Sequence, residues 1–362
     1  MSAARASGSP ETSPYEGLED RAFWRSGVVE AGAYPPPDIY RPKFRIPKDL
    51  PILTAGSCFA QHVGRALAGT GFNVIDTEKL PAFVADEVAQ RHGYRLYSAR
   101  YGNIYTVRQF LQLLQETFGQ FSPGDPVWER DGRYYDALRP GLTPGGLATA
   151  RHVAEARAVH LNRVQEAVAQ TGLVVFTLGL TEAWQHEPTG TVYPTAPGTI
   201  AGRIDPQVHR FVNFRARDIA RDFLTVRKIF RAANPDVKFL LTVSPVPLTA
   251  TASGAHVLPA TVYSKSVLRT VAGELAQDHD DIDYFPSYEI VTAPASAGRF
   301  FAANMRSVKP RGVRKVMRAF LDAHDTGAKP ARRQHSPASA IDNEDAGSDV
   351  VCEEELLEAF RK

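Results

Sequence analysis

The feature that most limits what this chain can fold into is a regular exchange between two periodicities. Short, mostly apolar runs that read as strands stand at 51–56 (PILTAG), 72–75, 173–178 (LVVFTL), 237–243 (VKFLLTV) and 282–285. Continuous apolarity, rather than alternation, is the mark of a strand covered on both faces. Between these runs the apolar residues recur every three or four positions. Phe59, Val63 and Leu67 follow the first run, and helical spacing returns over 107–118, 151–171, 219–232, 263–276 and 308–323. Five strands separated by helices predict an α/β fold, a doubly wound parallel sheet with helices on both faces. Such sheets bind ligands beyond the carboxyl ends of their strands, so the residues there are the ones to inspect for chemistry.

The rest of the composition narrows the class. A chain of 362 residues has ample material for a large core, with 43% apolar and 23% charged residues. The net charge of +2 is too balanced to point to a nucleic-acid partner. No apolar run reaches the ~18–20 residues of a membrane span, and the first residues carry no apolar core of a secretory signal. Two cysteines, Cys58 and Cys352, exclude a disulfide scaffold and a zinc knuckle. A cytoplasmic location is the default expectation.

Composition also marks the ends. Residues 1–47 are rich in Ser, Pro, Ala and Gly and read as a flexible start followed by an extended arm, with Trp24 and Tyr40 as anchors. From Gly327 to the end the composition is that of a disordered acidic tail. Its last residues, 351–360, alternate acidic and apolar and suit a short amphipathic helix. The folded α/β domain is therefore expected over 48–326, without internal repeats.

Several chemistry-bearing residues fall at predicted strand ends. The first strand runs into Gly56-Ser57-Cys58 and directly into a helix. A nucleophile at a helix N-terminus meets free N–H groups that favour developing negative charge; as a cap and buried filler, Ser57 and Cys58 would have no such role. The third strand ends in Gly179-Leu180-Thr181-Glu182, where Gly179 permits close approach of a ligand and Glu182 faces the crevice or opens the next helix. The fourth opens a loop containing His256, a candidate general base or a solvated loop histidine. Lys265, early in the next helix, can hold an anion or be a surface charge. The turn Tyr101-Gly102-Asn103-Ile104-Tyr105-Thr106 offers a backbone N–H at Gly102 and a side-chain amide at Asn103.

The string Gly56-Ser57-Cys58-Phe59-Ala60, with YGNIYT (101–106), GLTEAW (179–184), SPVPL (244–248), YSKSVLR (263–269) and DYFPSYE (283–289), resembles the GSCFA-domain family over roughly residues 49–320. That family is similar in fold to the SGNH, or GDSL-like, hydrolases. The resemblance implies a three-layer α/β/α, flavodoxin-like sheet of about five strands. It implies a nucleophile in the Gly56-Ser57-Cys58 turn. Alignment on Gly56 selects Cys58; the hydroxyl chemistry of the related fold, and the tendency of free Cys to be buried, select Ser57, which is the preferred candidate at this point. Gly102 and Asn103 match the oxyanion block. Gly179 to Glu182 match the third block, with Thr181 in place of its Asn. The last block, D-x-x-H, has no counterpart in 304–310 (NMRSVKP), so either His256 substitutes as the base, with Glu182 orienting it or binding substrate, or the chain is not a standard hydrolase.

The function so implied is hydrolysis or transfer of an acyl ester, on a small molecule or an acylated carbohydrate, without metal or cofactor. The competing expectation is a catalytically degenerate module that binds a glycan or a protein. The acidic tail, 342–358, is a further candidate for docking a protein partner. Neither nucleic acid nor a membrane span is expected.

Overall fold

The computed structural model describes residues 13–324 and 353–360; the disorder expected for most of the tail falls outside these residues. In chain order the elements are β1 (Ile52–Gly56), α1 (Phe59–Gly69), α2 (Asp86–Arg91), α3 (Val107–Thr117), β2 (Val127–Arg130), β3 (Arg133–Asp136), α4 (Ala150–Gln170), β4 (Leu173–Leu178), β5 (Glu182–His186), β6 (Thr191–Tyr193), β7 (His209–Asn213), α5 (Ala216–Ala233), β8 (Lys238–Val243), α6 (Val257–Asp278), β9 (Ile282–Tyr284), α7 (Ser287–Thr292) and α8 (Pro310–His324).

The central sheet is parallel, in the order β1-β4-β8-β9. The run at 72–75 contributes one parallel bridge, Val74 to Ile52, rather than a fifth strand. Its ladder ends at once because Asp76 accepts the Glu78 N–H and turns the chain away. That bridge still places the second run outside the first, which gives the flavodoxin-like order 2-1-3-4-5 with its switch point between β1 and β4.

Alternate strand residues feed two cores. Leu53, Val174, Phe176, Phe239 and Leu241 face α3, α4, α5 and α6 through Phe110, Val164, Phe223, Val226 and Leu268. Ile52, Leu173, Val175 and Leu240 face α1, α7 and α8 through Phe59, Val63, Leu67, Ile290, Val316 and Phe320. Apolar residues at helical spacing thus bury one stripe per helix on each side, and the result is a three-layer α/β/α stack.

Two further sheets sit outside this stack: the hairpin β2-β3, and an antiparallel sheet in the order β6-β5-β7. Glu182 opens β5 and not a helix. The arm before β1 packs on the second core through Tyr40 and Ile46, and the Tyr40 hydroxyl donates to Asp283 Oδ2 of β9 at 2.8 Å. Trp24, expected to anchor this arm, is 66% exposed. The phenol docks because a buried carboxylate awaits it, whereas Trp24 has no such partner among the described residues.

Candidate functional site

The site begins where β1 ends. Gly56 has φ +135, and a Cβ there would collide with the backbone of Thr177 on β4. Only glycine lets the two strands stay paired up to this turn. The Ser57 N–H donates to the Thr177 carbonyl at 3.1 Å, and α1 follows with Cys58 as its N-cap.

Both candidate nucleophiles are buried. The Ser57 Oγ has no hydrogen-bond partner among the described residues, and its Cβ presses on Gly179, where an added Cβ would lie 2.9 Å away. The Cys58 thiol lies near enough to the Tyr97 phenol and the Lys265 amine for its charge to act on both. Burial, reinforced by Cys58, holds the Tyr97 hydroxyl well above its usual range.

Asn103 faces the same turn. Gly102, at φ +73, swings the chain so that Asn103 points inward. Its Oδ1 accepts from the Tyr97 hydroxyl and, at 3.0 Å, from Gln61 of α1. The Gln109 amide clamps the neighbouring backbone, donating to the Asn103 carbonyl at 3.0 Å and accepting from the Tyr105 N–H at 3.0 Å. With its oxygen engaged, the Asn103 amide directs Nδ2 outward, where it meets the Tyr105 hydroxyl at 3.2 Å and the Glu353 carboxylate. A carboxylate only accepts, so the nitrogen is the atom that faces it.

Lys265 comes from α6. It is 2% exposed, and its Nζ donates to the Gly179 carbonyl at 2.7 Å. Burial pushes its pKa down to about 8; Glu354 and Cys58 oppose that fall and Arg306 adds to it. Thr181 is buried, its N–H held by the Ser264 hydroxyl at 3.1 Å. Glu182 accepts from Thr251 at 2.8 Å, and burial raises its pKa.

The structure does not bring His256 to this cluster. It is exposed and caps α6, its Nδ1 accepting the Leu258 N–H at 3.1 Å. Lys265 lies nine residues further down that helix, about 13 Å along the axis at 1.5 Å per residue. The expected loop is in fact the start of α6, and the histidine serves its first turn. His186 and His209 meet each other and Asp125 on the outer sheet. Among the described residues no three His, Cys, Asp or Glu side chains gather as a metal site requires, and no helix is long and apolar enough to cross a membrane.

A cavity of about 460 Å³ lies against β5-β7, and it shares Tyr105 and Glu182 with the surroundings of the cluster. Tyr105, Glu182, Trp184, Tyr193 and Phe211 line it, and Glu354, Leu357 and Phe360 close part of its rim. The last three belong to a short 3-10 segment, Glu353–Phe360. Sequence reasoning passed over Gln61, Tyr97, Arg306 and Glu353. Gln61 sits one turn beyond Cys58, which is a readable spacing. Arg306 occupies the stretch noted only for lacking Asp and His, and its guanidinium reaches Glu354 at 3.2 Å and Glu355 at 3.3 Å.

Sheet order, glycine turn and crevice together define a three-layer α/β/α protein with its polar cluster at the switch point of a parallel sheet. The chain belongs to the GSCFA family, whose sequence pattern matches residues 51–320. No curated protein matches the chain.

Proposed function

We propose that the protein cleaves or transfers acyl esters, acting on an acylated carbohydrate through a nucleophile in the Gly56-Ser57-Cys58 turn. The observation that carries this reading is the oriented Asn103 amide, its oxygen held by Gln61 and Tyr97 and its N–H₂ turned to the Tyr105 hydroxyl and a carboxylate. Donors fixed before the reaction are what an acyl-transfer site needs, because they stabilise charge that appears only in the transition state.

Cys58 is the better nucleophile of the pair. Ser57 lies beneath the turn against Gly179, while Cys58 shares its surroundings with a buried amine. In the proposed cycle Lys265, in its neutral form, takes the thiol proton. The sulfur then attacks the ester carbonyl carbon, a C–S bond forms, and the carbonyl electron pair moves to oxygen, held by Asn103 Nδ2 and the Tyr105 hydroxyl. Collapse of this adduct breaks the ester C–O bond. The departing sugar hydroxyl receives the proton from Lys265, and water or an acceptor hydroxyl then takes the acyl group from sulfur. The aromatic faces of Trp184, Tyr193 and Phe211 suit the apolar face of a sugar ring, and Glu182 suits its hydroxyls.

The test is turnover of p-nitrophenyl esters and acetylated sugars. Cys58→Ala should abolish it, and Ser57→Ala should retain most of it in a folded protein. The reverse pattern would return the role to Ser57. A second reading, a binding module, is favoured by the lack of Asp and His in 304–310. Glycan binding with no turnover in any assay would select it.

A further inference from the structure

The segment Glu353–Phe360 lies on the site from outside the family's own stretch. Glu353 and Glu354 are only 5% and 9% exposed, unusual for two adjacent carboxylates. The Glu353 Oε2 accepts from Asn103 Nδ2 and, at 2.9 Å, from the Tyr105 hydroxyl. Glu354 pairs with Arg306, whose side chain is 12% exposed, and lies close enough to Lys265 to raise its pKa. Beyond the carboxylates, Leu357 and Phe360 stand at the rim of the cavity.

We propose that this acidic segment is a built-in, displaceable ligand that occupies the crevice and must leave before a substrate enters. A carboxylate presents a negatively charged oxygen to hydrogen-bond donors, as does the oxyanion of an acyl-transfer adduct, so Glu353 takes the seat intended for that oxygen. It offers no bond for the cluster to break. The pattern shared by the family covers residues 51–320, so residues 353–360 lie outside the shared stretch. In this proposal the segment acts as a competitor and not as a catalytic part. That Glu353 holds Asn103 and Tyr105 is geometry; that this is the oxyanion's place, and that its release switches on acyl transfer, rests on the function proposed above.

The test separates the two. In the full chain, Glu353→Gln with Glu354→Gln keeps the shape of the segment and removes both charges. Alkylation of Cys58 by iodoacetamide, followed residue by residue by mass spectrometry so that Cys352 is counted apart, should quicken about tenfold or more, the factor that corresponds to about 1.4 kcal/mol of lost seating. A synthetic peptide of residues 350–362 with Cys352→Ser, added to that variant, should restore protection, and the same peptide lacking both glutamates should not. Arg306→Gln, made from the domain side, should reproduce the faster alkylation. Unchanged or slower alkylation in both folded variants overturns the proposal, as does loss of ester turnover in the glutamine variant with Cys58 no more accessible. Faster alkylation without any ester turnover leaves the plug standing and removes the proposed chemistry instead.

Discussion

At the scale of residues, the cluster depends on groups whose ordinary behaviour burial has changed. A lysine with a pKa near 8 is part neutral around neutral pH, which a surface lysine never is. If Lys265 is the proton acceptor, kcat/KM should rise with pH through about 8. Lys265→Met should remove that limb and lower the rate by roughly two to four orders of magnitude. An unchanged profile would reduce Lys265 to a tether for the Gly179 carbonyl. The same titration acts on stability. Between about 8 and 10.5 the unfolded chain keeps a proton that the folded one has released, so this group makes the protein more stable as pH rises through that window. Measured unfolding free energies of wild type and Lys265→Met across that range give its sign directly.

At the scale of elements, α6 shows how one histidine can be misread. His256 accepts the Leu258 N–H at the first turn, so His256→Ala should cost about 0.5–2 kcal/mol of stability. His256→Asn, a stronger cap, should restore the melting temperature, and ester turnover should not change in either variant. A folded His256→Ala protein without turnover would show that the imidazole does reach the crevice. In the sequence, helical spacing is legible only from Tyr263, so His256 reads as part of the loop that opens after SPVPL (244–248). The parallel strands were legible, since β4 and β8 are mostly apolar and β-branched runs without alternation. The outer sheets were not. Glu182 to His186 mixes acidic, aromatic and amide residues, and its pairing with β6 and β7 is set by segments far along the chain. The β2-β3 hairpin did carry a signal, Asp131-Gly132 at positive φ between two short strands, and it was passed over. Of the candidate site, the Gly56-Ser57-Cys58 turn and Glu182 stand out in the sequence by their position after strands, Asn103 by its polar-aromatic turn and Lys265 by its place early in a helix. Arg306 and Glu353 were not, because their partners are fixed only by the folded topology.

At the scale of the whole molecule, the arm preceding β1 is part of the second core. Tyr40 stacks edge-on to Phe285 and donates to Asp283, which also accepts the Lys43 N–H at 2.9 Å. Tyr40→Phe leaves a buried carboxylate short of one donor, and should cost about 1.5–3 kcal/mol, the range for hydrogen bonds to charged groups. A denaturation midpoint equal to that of wild type would show that the arm adheres by its apolar contacts alone. Tyr40 and its acceptor are 243 positions apart. On a ribosome adding about 5–20 residues per second, the arm emerges roughly 12–50 seconds before the strand that will hold it. It is among the first parts made and among the last to find its place. Through that interval Tyr40, Phe44 and Ile46 stand uncovered, and a nascent-chain chaperone has its longest opportunity at the segment that later closes the fold.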